Sequence, residues 1–306
     1  MNILVTGGAG FIASNIADAF IAEGNNVVII DNLSSGRKEN INPRAVFYEM
    51  DIQSPDVEKI FQTHAIDVIC HHAAQMDVRK SVADPKFDAS VNILGMLNIM
   101  ENAAKYKVKK VTFASTGGAI YGEQDYFPAD EKHPMQPLSP YGITKLCTEK
   151  YLFFYKAIYG IEHVILRYAN IYGPRQSPHG EAGVVAIFTS KMLKGEQPVI
   201  NGDGKQTRDY VFVGDVVRAN LMALHHPTSD IFNIGTSIET DVNQLFNYIR
   251  VLLGSPCEEK HAPAKAGEQM RSVITSRKAK EILGWEPTVS IEEGLRQTVE
   301  FFKNKK

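Results

Sequence analysis

Tyr141 and Lys145 stand four residues apart, directly after Ser139-Pro140. A proline suits the first turn of a helix, and a spacing of four places the phenol and the ammonium on one helical face. A free phenol ionises with a pKa of about 10, so a tyrosine that takes up protons near neutrality needs that value strongly lowered. A neighbouring ammonium favours the phenolate and is one route to the fall. A Tyr-x-x-x-Lys pair also arises by chance on helix surfaces, and the residues before it decide between the two readings.

Those residues begin with Thr6-Gly7-Gly8-Ala9-Gly10-Phe11-Ile12-Ala13, between an apolar run at 2–6 and a helical pattern at 11–22. Gly7 and Gly10 allow the backbone to approach a pyrophosphate closely, and the amides of Phe11 and Ile12 open a helix whose N-terminal dipole favours the anion. Ala13 fills the slot where a third glycine often stands. Asp31 ends the next apolar run, about 20 residues on, where an acid binds the adenosine ribose. A carboxylate there repels a 2′-phosphate and points to NAD over NADP. Arg37 and Lys38 are the counterweight, read here as a solvated turn.

Elements must carry these groups. Short β-branched runs at 2–6, 27–31, 46–50, 67–71 and 110–115 alternate with helical patterns. One helix is expected from Ser54-Pro55-Asp56, with Ser54 as N-cap and Pro55 at the first helical position. A long one starts near Asp84-Pro85. This rhythm predicts an α/β fold, a doubly wound parallel (Rossmann) sheet covered on both faces. Past Gly173 the pattern loosens. Residues 174–183 read as a surface loop, and shorter elements follow that suit a smaller α/β substrate-binding domain. The expected division is 1–173 with about 210–236 for the cofactor domain, and about 174–209 with 237–306 for the substrate domain. The helices at 87–104 and 146–159 are apolar all round and need cover on a second side, from that domain or from another subunit.

Composition narrows the field. The 306 residues, 44% hydrophobic and 22% charged, can bury a large core. A net charge of −2 gives no basic field for nucleic acid. Cys70, Cys147 and Cys257 form no CxxC, so no metal site is expected and a reducing, cytoplasmic setting fits. No signal peptide and no membrane-spanning run is read. His71 and His72 end a strand and point to opposite faces, which disfavours a metal pair. Trp285 is read as a core anchor.

Taken together, the motifs resemble the extended short-chain dehydrogenases/reductases, and most of all their UDP-glucose (UDP-galactose) 4-epimerase type. The matching stretches are TGGAGFIAS at 6–14, DNLSSG at 31–36, HHAA at 71–74, VNILG at 91–95, YGITK at 141–145, RYANIYGPRQ at 167–176, GDGKQTRDYVFVGDV at 202–216 and GEQMRS at 267–272. The resemblance implies Tyr141, Lys145 and Thr116 as the catalytic set. It implies a cofactor site of Gly7, Gly10, Phe11, Ile12, Asp31, Asn32, Ser35, Gly36, Asp51, Ile52, His72, Ala73, Ala74, Asn92, Ser115 and Tyr168, besides Tyr141 and Lys145. For a UDP-sugar it implies Thr116, Asn170, Val184, Arg208, Arg271 and Ser272, with Lys265 where relatives carry a phosphate-binding arginine. Arg208 could instead pair structurally with Asp209 or Asp215.

Counting forward along the fifth strand puts the catalytic hydroxyl at Thr116; counting back from Tyr121 reaches Gly117, which has none. Thr116 is chosen. Related 4,6-dehydratases place an Asp-Glu pair after the threonine, and decarboxylases a glutamate; Gly117-Gly118 offers neither. The resemblance therefore implies an NAD-dependent C4 epimerase of UDP-glucose and UDP-galactose, extending to the N-acetyl pair where Ser272 replaces a bulky tyrosine, and working as a homodimer. A uronate epimerase, decarboxylase or dehydratase is the enzymatic alternative. A non-catalytic NAD-binding regulator would need neither Tyr141 nor Lys145.

Overall fold

The computed structural model describes residues 1–178, 183–264 and 269–304. Strand β1 (Asn2–Thr6) leads to helix α1 (Phe11–Ala22), followed by β2 (Asn26–Asp31), β3 (Val46–Glu49), α2 (Val57–Thr63) and β4 (Val68–His71). Helices α3 (Val78–Ala83), α4 (Pro85–Ala89) and α5 (Gly95–Lys105) precede β5 (Lys110–Thr116), and α6 (Pro140–Tyr159) precedes β6 (Glu162–Tyr168). The remainder runs β7 (Asn170–Tyr172), α7 (Val184–Leu193), β8 (Ile200–Asn201), β9 (Thr207–Phe212), α8 (Val213–His225) and β10 (Asp230–Ile234). It ends with β11 (Glu239–Asp241), α9 (Val242–Leu253), β12 (His261–Ala262), β13 (Arg271–Ser272) and α10 (Ile291–Asn304).

Seven parallel strands form the main sheet in the order β10-β6-β5-β4-β1-β2-β3. Alternate residues along a strand face opposite ways. Ile3, Val5 and Ile29 pack with Ile16 and Phe20 of α1, while Leu4, Val28 and Ile30 pack with Ile60, Met96, Ile99 and Leu152 from α2, α5 and α6. Both faces are covered, which is why the strands read as unbroken apolar runs. The chain leaves β1 for β2 on one side and returns to β4 on the other, opening a crevice at the carboxyl ends of β1 and β4.

A smaller α/β unit accompanies this sheet. Strand β9 pairs antiparallel with β11 and parallel with β7 and β13, and β8 pairs with β12. Its core gathers Tyr172, Phe188, Phe212, Leu245, Phe246 and Leu295 beneath α7, α9 and α10. Trp285 is fully buried, and its indole N–H donates to Asp215 O at 2.8 Å, as suits a core anchor.

Two expectations need correction. Helix α2 starts at Val57, not at Pro55, because residues 54–56 close a tighter turn in which Val57 N donates to Ser54 O. The Ser54 hydroxyl accepts from Asp56 N and caps nothing further on. The helix expected at 87–104 contains a π turn over Ser90–Leu94, between α4 and α5. Its outward side chains Phe87 and Leu94, with Ile143, Phe153, Phe154 and Ile158 of α6, remain exposed: the smaller unit does not cover them.

Candidate active site

The crevice is built from the loops after β1 and β4. Gly7 has φ +71°, and a Cβ there would approach Ala73 N to 2.8 Å, so only glycine lets the two loops lie together. Thr6 Oγ1 accepts from the amides of His72 and Ala73, each at 3.1 Å, and tethers the second loop. Gly10 caps α1 without a side-chain bond. The amides of Phe11 and Ile12 are among the first-turn donors that have no partner inside the helix. Backbone amides beside a cradle without side chains fit a dinucleotide pyrophosphate.

Asp31 closes β2 with its carboxylate accepting from Ala9 N at 3.0 Å and Leu33 N at 2.8 Å. Burial raises its pKa and these two bonds oppose the rise. A Cβ at Gly36 would lie 2.9 Å from both carboxylate oxygens, so the turn passes directly over Asp31. Arg37 reaches Glu39 at 3.5 Å and Lys38 reaches Glu49 at 2.8 Å, which commits both cations to glutamates on the solvated surface. Further along, Asn32 Nδ2 donates to Asp51 beside buried Ile52, and Ser35 is exposed on the turn.

Helix α6 opens as its sequence suggests. Ser139 Oγ accepts from Gly142 N at 3.2 Å and Pro140 takes the first turn. Lys145 is buried; its Nζ donates to Ala114 O at 2.8 Å and lies 5.8 Å from the centre of the Tyr141 ring. Burial pushes the Lys145 pKa down to about 8, against Asp88 and Glu149, which pull it up. Tyr141 keeps part of its surface open, yet the surrounding protein pushes its phenol well above the ordinary value, with Asp88 adding to the rise. In the protein by itself, burial, not the neighbouring ammonium, sets the direction for this phenol.

Thr116 ends β5 with a side chain at the crevice end of the sheet. Gly117 N donates to Tyr168 O at 2.7 Å, and a Cβ at Gly117 would strike Ile274 at 2.7 Å. A Cβ at Gly118 would stand 3.7 Å from Asn170 Oδ1 and 3.8 Å from Thr116 Oγ1, which marks open space beside the threonine. Ser115 is turned inward, donating to Glu149 at 2.6 Å within a buried pair of Glu149 and Arg167.

His72 Nε2 lies 3.3 Å from the Tyr168 hydroxyl, which accepts from Asn220 at 2.9 Å. Burial, and after it the charge of Lys145, push His71 and His72 down to about 3, so both rings are neutral. Ala73 and Ala74 line the loop without bulk. No three metal-binding side chains gather among the described residues.

Asn170 starts β7 with its side chain near Gly118 beside Thr116, whereas Val184, at the start of α7, packs against the core of the smaller unit. Arg208 donates to Thr207 O at 2.7 Å, and Ser272 is its register partner. The structural alternative for Arg208 fails: Asp209 accepts from Thr236 and Ser237, and Asp215 pairs with Arg218. Arg271 forms a two-pronged pair with Glu239 at 2.9 and 2.8 Å and lies 3.9 Å from the centre of Phe127. Lys265, Gly267 and Glu268 fall outside the described residues, as does 179–182 of the expected loop.

One group escaped the sequence reading. Buried Asp88 accepts from Gln75, Asn92 and Thr144, and so joins the α4 end to α6 and to the loop after β4. An aspartate and an asparagine four apart at Asp88 and Asn92 in a largely apolar helical run, with Thr144 nearly one turn past Tyr141, were the available signal. Asn92, through these bonds and one to Gln75 O at 3.0 Å, holds that loop in place.

Comparison with known proteins follows the same geometry. The UDP-glucose 4-epimerase of Thermotoga maritima, solved with UDP-glucose, is 52% identical over 99% of both chains, with a TM-score of 0.97. That of Thermus thermophilus, solved with NAD, is 42% identical over 100% of both, with a TM-score of 0.96. The UDP-N-acetylglucosamine 4-epimerase of Methanobrevibacter ruminantium, in complex with UDP-N-acetylmuramic acid, is 35% identical over 100% of this chain and 99% of its own, with a TM-score of 0.93. Residues 3–235 match the model of the NAD dependent epimerase/dehydratase family, and with a glycine cradle, a ribose-side acid and a Tyr-Lys helix joined at one crevice, the chain belongs to that family.

Proposed function

We propose that the protein interconverts UDP-glucose and UDP-galactose by NAD-dependent epimerisation at C4, with Tyr141, Lys145 and Thr116 at the reacting carbon. The observation that carries the reading is the turn beside Thr116. Elimination of water or loss of carboxylate calls for a further acid or base there, and Gly117-Gly118 supplies none, whereas inversion at one carbon needs none.

Bound NAD supplies reversible hydride acceptance, chemistry that no side chain offers. The chain does the rest. Gly7, Gly10, Phe11 and Ile12 hold the pyrophosphate, and Asp31, with Asn32, Ser35 and Gly36, holds the ribose; Asp51 and Ile52 border the adenine. His72, Ala73, Ala74, Asn92, Ser115 and Tyr168 shape the nicotinamide side. Tyr141 moves the proton at the sugar O4, Thr116 donates a hydrogen bond to the same oxygen, and Lys145 keeps a positive charge beside them. Asn170, Val184, Arg208 and Arg271 bind the UDP moiety, Arg271 by exchanging Glu239 for a phosphate. We assign residues 1–173 and about 210–236 to cofactor binding, with β7 and the end of β9 lending strands to the smaller unit, and about 174–209 and 237–306 to substrate binding.

The exposed apolar side chains Phe87 and Leu94 ahead of α5, with those of α6, fit the contact between two copies of the chain. Three free cysteines fit a reducing cytoplasm, and no helix among the described residues is long and apolar enough to cross a membrane. The test is to incubate purified protein with UDP- and dTDP-sugars and separate the products. Conversion of UDP-glucose to UDP-galactose is expected; a deoxy-keto or decarboxylated product would overturn the reading.

A further inference from the structure

Asp88 is fully buried, and two amides and a hydroxyl converge on it. Gln75 Nε2 reaches Oδ1 at 2.8 Å, Asn92 Nδ2 reaches the same oxygen at 3.1 Å, and Thr144 Oγ1 lies 2.9 Å from Oδ2. Both amides donate to the carboxyl group, and the Thr144 hydroxyl stands between it and Tyr141 O at 3.0 Å. Gln75 N in turn donates to Asn92 Oδ1 at 2.8 Å, and Asn92 Nδ2 lies 3.1 Å from Thr144 Oγ1, so the four residues form one closed network. It ties three elements together: the end of the loop after β4, the α4–α5 segment at its π turn, and the first turns of α6.

A buried anion of this kind is costly unless something positive balances it. The Glu149 carboxylate, also near Lys145, has its own cation in Arg167. Asp88 has no salt-bridge partner among the described residues. The positive charge whose equilibrium it raises is that of Lys145, one residue beyond Thr144. The groups that face Lys145 are Asp88 from α4, Tyr141 and Glu149 from its own helix, and His71 and His72 from the end of β4, both neutral.

We propose that Asp88 is a positioning residue for the Tyr141–Lys145 pair, fixing α6 against the loop after β4 and setting the field in which both groups exchange protons. This rests on the reading of that pair as the reacting one. Its signature is directional. The Asp88 charge holds the proton on Lys145 and also on Tyr141. Removing it releases both protons more easily, so the two limbs of the pH–rate profile move the same way, toward lower pH.

The experiment is the kcat/KM profile against pH for the full-length enzyme with bound NAD, on the UDP-sugar it turns over, in the parent and in Asp88→Asn. Asparagine keeps the size and one acceptor oxygen, turns the other into an amide from which the Thr144 hydroxyl can accept, and loses the charge. Both limbs are expected to shift down by roughly one pH unit. Thr144→Val, which breaks the hydroxyl link and keeps the charge, is expected to lower kcat with no downward shift. Loss of rate at every pH with unmoved limbs in Asp88→Asn would overturn the proposal, as would an equal shift in Thr144→Val. If Asp88→Asn does not accumulate folded, Asp88→Glu takes its place: retained limbs support the proposal and displaced limbs overturn it. Tyr141→Phe, run alongside, separates the two readings, because retained activity there would unseat the reacting pair itself.

Discussion

At the scale of single residues, Tyr141 stands in protein that by itself keeps its phenol protonated. On the proposed reading of Tyr141, bound NAD would add a positive charge beside it and act with Lys145 against that rise. Replacing Tyr141 with Phe should cut kcat by about 10²–10⁴-fold, the usual worth of one positioned acid–base group. Mass spectrometry of released cofactor should still find NAD at the parental level. Ser272 makes a second residue-scale case. It is buried in register with Arg208, and a phenol at this position would fill room that an acetamido group needs, a clash of about 1–3 kcal/mol. Ser272→Tyr should lower kcat/KM for the N-acetyl pair by about 5–150-fold, taking that clash at RT of about 0.6 kcal/mol, and leave UDP-glucose turnover nearly unchanged. Equal losses on both pairs would place the gate elsewhere.

Elements were legible where periodicity and capping agreed. The strands of the crevice and the opening of α6 were readable because Gly7, Asp31 and Ser139-Pro140 each do one local job. The π turn at Ser90–Leu94 was not, since one extra residue in a helical turn leaves hydrophobic spacing nearly intact and depends on tertiary partners such as Asp88 and Thr144. The tighter start of α2 was hidden for a similar reason: Ser54-Pro55-Asp56 serves a turn as well as a cap. The charge balance on Tyr141 was illegible too, because burial is a property of the packed fold. Lys110 shows an element fastened from a distance. Its ammonium donates to the carbonyls of Ala223, Leu224 and His226 at the end of α8, and burial lowers its pKa to about 8. Lys110→Met should cost about 1–3 kcal/mol, from carbonyls left without their donor, read as a lower midpoint in denaturant at pH 7. Because the folded pKa lies below the ordinary lysine value, the unfolded chain binds more protons between about 8 and 10.5. Stability from this group therefore rises with pH across that window, and the variant should lack the rise.

For the molecule as a whole, Phe87 and Leu94 ahead of α5 and the apolar outer face of α6 are the surface that the smaller domain leaves bare. The sequence showed that these helices needed a second cover and left its source open. Leu94→Glu combined with Phe154→Glu should convert a dimer into monomers, measured by sedimentation velocity at micromolar concentration; parental protein that sediments as a monomer would remove the premise. Helix α6 presents Tyr141 and Lys145 to the crevice, Leu152 and Tyr155 to the sheet and Ile143, Phe154 and Ile158 to the outside. It has no idle side. Most substitutions along these 20 residues strike the crevice, the core or the apolar outer face, so the helix should be among the least mutable parts of the chain. Adapting this scaffold to new sugars will come more readily from the loops and strands of the smaller domain, which can vary without disturbing α6.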